Sequence, residues 1–454
     1  MKKSRSSRRT IPYLVAAAIG ILLFLLISGY VKSLSKLDFT YNKPMQAAAS
    51  YPDTRFAVIS DLHYYDPSLG TTGPAFEKYL NSDRKLLADT PQLLAYAIDD
   101  IIASDAKFVL IPGDLTKDGE LICHQKVSAL LSMLVKNGLK VYVVPGNHDI
   151  NNPEAYKYED DKTIPVPSIT ASQFTDIYGA YGYDDAIYRD DNSLSYVAEP
   201  VKGLWLVAMD SCRYKENKPG GKEIIGGKLS QGQEKWLEDI LQKAGKYQKA
   251  VMVMEHHGIL EHWKGQSRLH PDYLVEDYKR VSRLLASYGV RLAFTGHYHA
   301  QDITYADYGS SGFIYDIETG SLSTFPCAVR YCSVKDNKIS VASRLIAGRL
   351  YPGTDFESKS RQFVYNSMRS ETYTILRRYY VPEKDANYLA GYVAAAFLAH
   401  YCGDENEEEK PQLNENKLGL WSRLVYRMEK YVPDGLWKDL KPHDNDILLD
   451  LNPK

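Results

Sequence analysis

Five short motifs carry side chains able to grip metal ions. They are Asp61-Leu62-His63, Gly113-Asp114, Gly146-Asn147-His148-Asp149, His256-His257 and Gly296-His297-Tyr298-His299. The donors are imidazoles, carboxylates and one amide, with no thiolate among them, a set that suits Mn, Fe, Zn or similar divalent ions. In an extended chain residues i and i+2 project to the same side. Asp61 with His63, and His297 with His299, are therefore expected to hold one site each from two directions. Asp114 follows a glycine, which permits close approach to two ions at once. A carboxylate bridging ions about 3.5–4 Å apart is what a two-metal hydrolase needs. Each motif alone also fits a bland reading: Asp-x-His arises by chance, a His pair is often surface or core, and Gly-Asn-His-Asp serves as a capped turn. It is the series, each member placed after an apolar run, that points to one site.

Those apolar runs are the elements that must position the donors. Residues 55–60, 107–112, 141–144, 250–254 and 291–295 read as short buried strands. Strands that end in polar residues place them at the carboxyl edge of a parallel sheet, where α/β folds keep their sites. Residues 204–209 form a further strand ending at Asp210, which lacks motif partners. Helices are expected at 91–104, from 121 to a stop at Gly138, after the capping box Ser230-Gln231-Gly232-Gln233, and near 272–288. The Tyr- and Asp-rich stretch 151–192 reads as a surface excursion with one short helix. Residues 303–346 read as antiparallel strands. Beyond Gly348 the apolar spacing is helical at 358–380, 386–402 and 418–431, with the acidic run 404–409 as an exposed connection.

At 454 residues the chain holds one large domain or two ordinary ones. A net charge of −2 gives no argument for nucleic-acid binding. Five scattered cysteines support neither a disulfide framework nor a zinc ribbon. Cys327 and Cys332 are close enough in sequence to pair, although two thiols in a strand are the favoured reading. Lys2, Lys3, Arg5, Arg8 and Arg9 precede an uncharged run from Thr10 to Val31. About 20 apolar residues span a bilayer as a helix, and a basic cluster stays on the cytoplasmic side. A cytoplasmic tail (1–10), a transmembrane signal anchor (11–31) and a polar linker (32–51) are expected. The protein would then be a single-pass cell-membrane protein whose globular part lies outside the cytoplasm. A cleaved signal peptide is the competing reading, disfavoured by the length of the run.

The motif series resembles that of the calcineurin-like metallophosphoesterase superfamily: Asp-x-His, Gly-Asp, Gly-Asn-His-Asp/Glu, His, and Gly-His-x-His. The resemblance covers about residues 55–346, and Gly113 to Glu120 is similar to exported bacterial members. It implies a four-layer αββα sandwich of two mixed sheets between helices, spanning 52–347, followed by a helical C-terminal domain at 348–454. It further implies two divalent metal ions, with Asp61, His63 and His299 on one, Asn147, His256 and His297 on the other, and Asp114 between them. His257 is an alternative to His256, because Gly258 stands where family members usually have proline. The implied activity is hydrolysis of a phosphate ester, as phosphodiesterase or phosphatase, through attack of a metal-bound hydroxide on phosphorus. His148 would contact the phosphate and leaving group, with Asp149 orienting the loop or ring, or capping the turn. Glu255 reads as a supporting carboxylate, and His124, His262, His270 and His400 match no motif. The alternative function is a non-catalytic, metal-binding surface scaffold of the same fold.

Overall fold

In the computed structural model, which describes residues 41–403 and 405–452, the apolar runs become strands with polar ends. The expected cytoplasmic tail and transmembrane anchor lie outside the described residues. Among the described residues no helix is long and apolar enough to cross a membrane. β1 (Thr54–Val58) leads through α1 (Pro74–Leu80) and α2 (Thr90–Ile102) to β2 (Phe108–Pro112). α3 (Leu121–Lys136) then connects to β3 (Lys140–Val144). The three strands pair in parallel. α2 buries Leu93, Leu94, Ala97, Ile98 and Ile101, a stripe at helical spacing that must find an apolar partner.

The next stretch departs from expectation. Residues 151–192 contain the hairpin β4 (Tyr156–Glu159) and β5 (Lys162–Pro165), the helix α4 (Ala171–Ile177) and β6 (Tyr188–Arg189). Tyr158, Phe174, Tyr178, Tyr181 and Tyr183 are all buried in the main core. A tyrosine can bury its ring provided its hydroxyl finds a partner. The Tyr181 hydroxyl donates to Ser128 O at 2.5 Å, and that of Tyr178 lies 2.9 Å from His124 Nδ1. The segment is therefore core as much as surface.

β7 (Tyr196–Val201), β8 (Leu204–Met209), α5 (Gln231–Lys246), β9 (Ala250–Glu255), α6 (Gln266–Leu269), α7 (Tyr278–Ser287) and β10 (Leu292–Thr295) follow. The Ser230 capping box forms as expected: its Oγ accepts from Gln233 N at 3.2 Å, and Gln233 Oε1 accepts from Ser230 N at 2.9 Å. The helix expected from 272 begins at 278, after α6 and a tight turn at Pro271–Tyr273.

β11 (Asp302–Asp307), β12 (Phe313–Glu318), β13 (Ala328–Lys335) and β14 (Lys338–Leu345) form two antiparallel pairs that join different sheets. β12 lies parallel to β10, whereas β13 lies antiparallel to β1. The sheets are therefore mixed, in the orders β14-β13-β1-β2-β3 and β11-β12-β10-β9-β8-β7-β6. They meet in the core, where the rings of Phe56 and Phe294 pack edge to face at 5.3 Å.

The C-terminal segment supplies α8 (Phe356–Arg378), α9 (Glu383–Cys402), α10 (Leu420–Glu429) and α11 (Tyr431–Leu436). It then ends in β15 (Asp446–Asp450), which extends the first sheet beside β14. The segment expected to be wholly helical thus returns to the sheet, and residues 43–454 form one unit. Cys327 and Cys332 are buried free thiols.

Candidate metal centre

The carboxyl ends of β1, β2 and β3 face those of β9 and β10, and the donors come from these five ends. Asp61, His63, Asp114 and His299 bring ligand atoms within 4.8 Å of one another, as do Asp114, His256 and His297. Asp114 belongs to both groups. Its Oδ2 lies 3.5 Å from His63 Nε2 and 3.4 Å from His256 Nε2. Asn147 Oδ1 completes the second group, 3.1 Å from His256 Nε2. His63 Nε2 and His299 Nε2 face each other at 3.1 Å.

The backbone reaches this arrangement differently from the expected strand alternation. Asp61, His63, Asp114, His297 and His299 all have φ between 39° and 74°. A left-handed conformation is uncommon for residues other than glycine and concentrates at functional sites. Asp61 and His63 therefore converge on one group through tight left-handed turns beyond the strand, whereas His297 and His299, expected to hold one site together, are divided between the two groups. Two glycines make room for them. A β-carbon at Gly146 would collide with the Asp114 carboxylate, and one at Gly296 with that of Asp61.

The donor set fits divalent cations on a structural test. Two imidazole nitrogens facing each other at 3.1 Å share either one ring proton or a cation, and a cation there would meet lone pairs from both rings. Burial and the nearby Lys85 charge hold the pKa of His63 well below its ordinary value. Burial with neighbouring imidazoles does the same for His297, and burial, against Asp61, lowers His299. These are neutral imidazoles, the form that binds metal. Asp114 stays ionised: burial opposes its charge, but His256 and His148 hold its pKa well below the usual carboxylate range.

The ring partners also separate the two adjacent histidines. His256 Nδ1 lies 2.8 Å from Pro112 O, which turns Nε2 to the centre; such a bond fixes a metal-binding ring. His257 points away, with Nδ1 2.8 Å from Ser211 Oγ and Nε2 2.8 Å from Ile225 O. The geometry therefore places His256, not His257, among the donors.

His148 sits at the rim. Its side chain is 16% exposed, against 0% for His63 and His256, and it lines a cleft of about 860 Å³. Its Nδ1 pairs with Asp118 Oδ1 at 2.8 Å. The buried Lys117 ammonium in turn contacts Asp118. Burial and Lys85 oppose protonation of His148, but Asp114, the Asp118 hydrogen bond and Glu223 lift its pKa to about 9.

Asp149 faces away from the cleft. Its carboxylate accepts from the N–H groups of Gly146 (2.8 Å), Leu115 (3.1 Å) and Thr116 (3.0 Å). It caps the turn at Gly146 and staples the loop after β2 to the loop after β3, so it holds the loop in place, and the hydrogen bond that orients the His148 ring is made to Asp118 instead. Glu255 is fully buried, and burial pushes its pKa well above the usual range. Asp210 does have partners, accepting from Leu194 N, Cys212 N and the Tyr214 hydroxyl.

From the sequence Asp118 is expected to be dispensable beside Asp114, and Arg84 and Lys85 carry no expectation, yet all three line the cleft and Asp118 holds His148. Asp118 stands four residues after Asp114 in a loop, and only its repetition of charge near a motif marks it. Arg84 and Lys85 sit in a loop whose composition carries no signal.

The profile of the calcineurin-like phosphoesterase family matches residues 54–301. No curated protein matches the chain in sequence. Among solved structures, the fold is similar to a dimetal phosphatase from Danio rerio at 17% identity and a TM-score of 0.46, covering 65% of this chain and 96% of that one. It is also similar to a purple acid phosphatase from yellow lupin seeds at 13% identity and a TM-score of 0.41, covering 65% and 53%. At these scores the two likenesses carry no further conclusion.

Proposed function

Since this chain belongs to the calcineurin-like phosphoesterase family and is a phosphoester hydrolase, we propose that it cleaves its ester at a dinuclear centre held by Asp61, His63, Asp114, Asn147, His256, His297 and His299. The single observation that carries this is Asp114 Oδ2, placed 3.5 and 3.4 Å from imidazoles of two separate donor groups. Two divalent ions bound there would supply Lewis acidity toward the phosphoryl oxygens and lower the pKa of water.

The chain's own residues do the rest. His148, exposed to the cleft and hydrogen-bonded through Nδ1 to Asp118, is positioned to hydrogen-bond the departing ester oxygen and give it a proton. Asp118 accepts from Nδ1 and so orients the ring with Nε2 toward Asp114, 4.0 Å away. Lys85, buried at the cleft wall, adds positive charge where an anionic substrate must settle. The apolar run at 11–31 supports a placement of the catalytic part outside the cytoplasmic membrane.

Elemental analysis of wild type and Asp114→Asn, with turnover of nitrophenyl phosphate and bis-nitrophenyl phosphate, tests the proposal. Wild type should carry two divalent ions per chain, and the variant should lose both metal and turnover. Equal metal content in the two proteins would refute it.

A further inference from the structure

The metal cleft shares a wall with a neighbouring, mostly apolar cavity of about 380 Å³. Arg84, Ile225, Tyr273, Tyr298, Glu371 and Tyr401 line both spaces. The cavity begins at the donors themselves: the Tyr273 ring packs on that of His297 at 4.6 Å, and Tyr298 lies between His297 and His299 in the chain. Its far wall comes from the C-terminal helices, through Met368 of α8, Leu389 and Phe397 of α9, and Val425 of α10. Met368, Leu389 and Val425 are buried. A space of this size lies within the range of cavities that hold small ligands, which are mostly apolar with a few polar groups.

The apolar surface continues outward. Ile375 and Tyr379 line the cavity yet are exposed. The Trp421 indole N–H donates to Tyr379 O at 2.9 Å, joining α8 to α10. Along α10, Leu420, Trp421, Leu424 and Met428 are 85%, 50%, 50% and 59% exposed. Their spacing puts them on one helix face, next to the face that turns Val425 and Glu429 to the cavity. A contiguous exposed apolar strip marks an interaction surface. A Trp- and Leu-bearing helix face open to solvent is the pattern of a helix lying in a lipid interface.

We propose that the substrate is an amphiphilic phosphate ester, a phosphorylated lipid, whose ester reaches the Asp/His centre while its chain occupies this cavity, taken from a lipid surface against which α10 rests. The proposal rests on the phosphoesterase reading. It adds the chemistry of the leaving alcohol: water oxygen bonds to phosphorus, the bond from phosphorus to the ester oxygen breaks, and that oxygen departs with a proton as the lipid alcohol. Arg84 stands where the two spaces join, 3.1 Å from Glu371 Oε2, so the boundary between charged head and apolar chain is built into the wall.

The test uses the full chain, metal-loaded and reconstituted in phosphatidylcholine vesicles. Nitrophenyl phosphate turnover reports the phosphoesterase reading alone. The kcat/KM for linear alkyl phosphates should rise by up to about fourfold per methylene until the cavity is filled. Val393→Arg, which blocks the cavity, should flatten that series and leave nitrophenyl phosphate within about twofold. Leu424→Glu should lower turnover of phosphatidic acid in the bilayer at least tenfold and leave soluble esters unchanged. As a readout independent of catalysis, brominated phosphatidylcholine should quench tryptophan fluorescence of wild type more than that of Trp421→Phe. A flat alkyl series in wild type, or equal quenching in both proteins, overturns the inference. So does a Leu424→Glu variant that changes oligomeric state without changing phosphatidic acid turnover, which would assign the strip to a second copy of the chain.

Discussion

Two clusters of imidazoles and carboxylates lie on either side of one short loop, and they differ in how their lone pairs are disposed. His297 and His299 belong to the metal centre; Asp302, three residues on, belongs to a buried group with His262, Asp316, Glu318, His400 and Glu405. In the second cluster each imidazole meets carboxylates. His262 Nδ1 lies 2.7 Å from Asp302 Oδ1, and its Nε2 lies 3.3 Å from Asp316 Oδ2 and 3.4 Å from Glu318 Oε2. His400 Nδ1 contacts Glu405 directly and lies 3.7 Å from Asp302 Oδ2. In the metal centre imidazoles meet carboxylates too, but one carboxylate, Asp114, stands between two groups of imidazoles, ring nitrogen also faces ring nitrogen and an amide oxygen, and a cleft gives access. Asp302, His400 and Glu405 also come within ligand reach of one another; there His400 Nδ1 is engaged by Glu405, while His400 Nε2 and Glu405 Oε2 have no hydrogen-bond partner. Residue type alone does not make a two-metal site; what sets the first cluster apart is a carboxylate shared by two donor groups at the wall of an open cleft.

The largest effect that would break this contrast is at Asp114. Asp114→Asn should lower kcat by about 10³-fold or more and release metal, whereas His400→Gln should leave metal content and turnover intact. Metal loss in both variants, seen by elemental analysis, would mean that the second cluster also binds an ion.

Next comes His148. His148→Ala should keep its metal and lose about 10²–10⁴-fold in turnover of an alkyl ester, with a smaller loss on a nitrophenyl ester, whose phenolate departs without a proton. Equal losses on both esters would remove the leaving-group role.

Asp118→Asn should cost about 10–100-fold, the range for residues that orient others at such centres. The loss should again be greater for the alkyl ester and be absent in a His148→Ala background. A full further loss in the double variant would show that Asp118 acts on its own.

The smallest effect on activity is expected at His262, where the readout is stability. Asp316, Asp302 and Glu318 raise its folded pKa well above the ordinary value, against the cost of burial. A raised folded pKa means that the stabilisation is fully present below the unfolded pKa of about 6.5 and is lost as pH rises through the folded value. Breaking a buried pair costs about 3–5 kcal/mol, so His262→Gln should lower Tm strongly at pH 6 and less at pH 10. A gap in Tm that does not narrow with pH would place the interaction elsewhere.

What the sequence determined by itself was the donor set and the strands beneath it. Each motif is local, and an apolar run ended by polar residues can scarcely be anything but a buried strand delivering side chains to a sheet edge. The resemblance to the family's motif series then implied two groups sharing Asp114, and the structure brings those residues together. Only the tertiary structure decided the features that depend on distant packing. The choice of His256 over His257 rests on Pro112, Ser211 and Ile225, none of them near in sequence. Asp118 meets His148 across thirty positions, and Asp149 is spent on backbone N–H groups from another loop. The tyrosines of 151–192 are buried because a core formed elsewhere accepts their rings. β15 has no pattern that separates it from a loop, and it is a strand because β14 offers an unpaired edge. The apolar cavity exists only where α8, α9 and α10 close against Tyr273 and Tyr298. Local pattern sets which groups a strand end presents, while pairing between remote segments sets what they face, because burial and hydrogen-bond matching are decided by the whole fold.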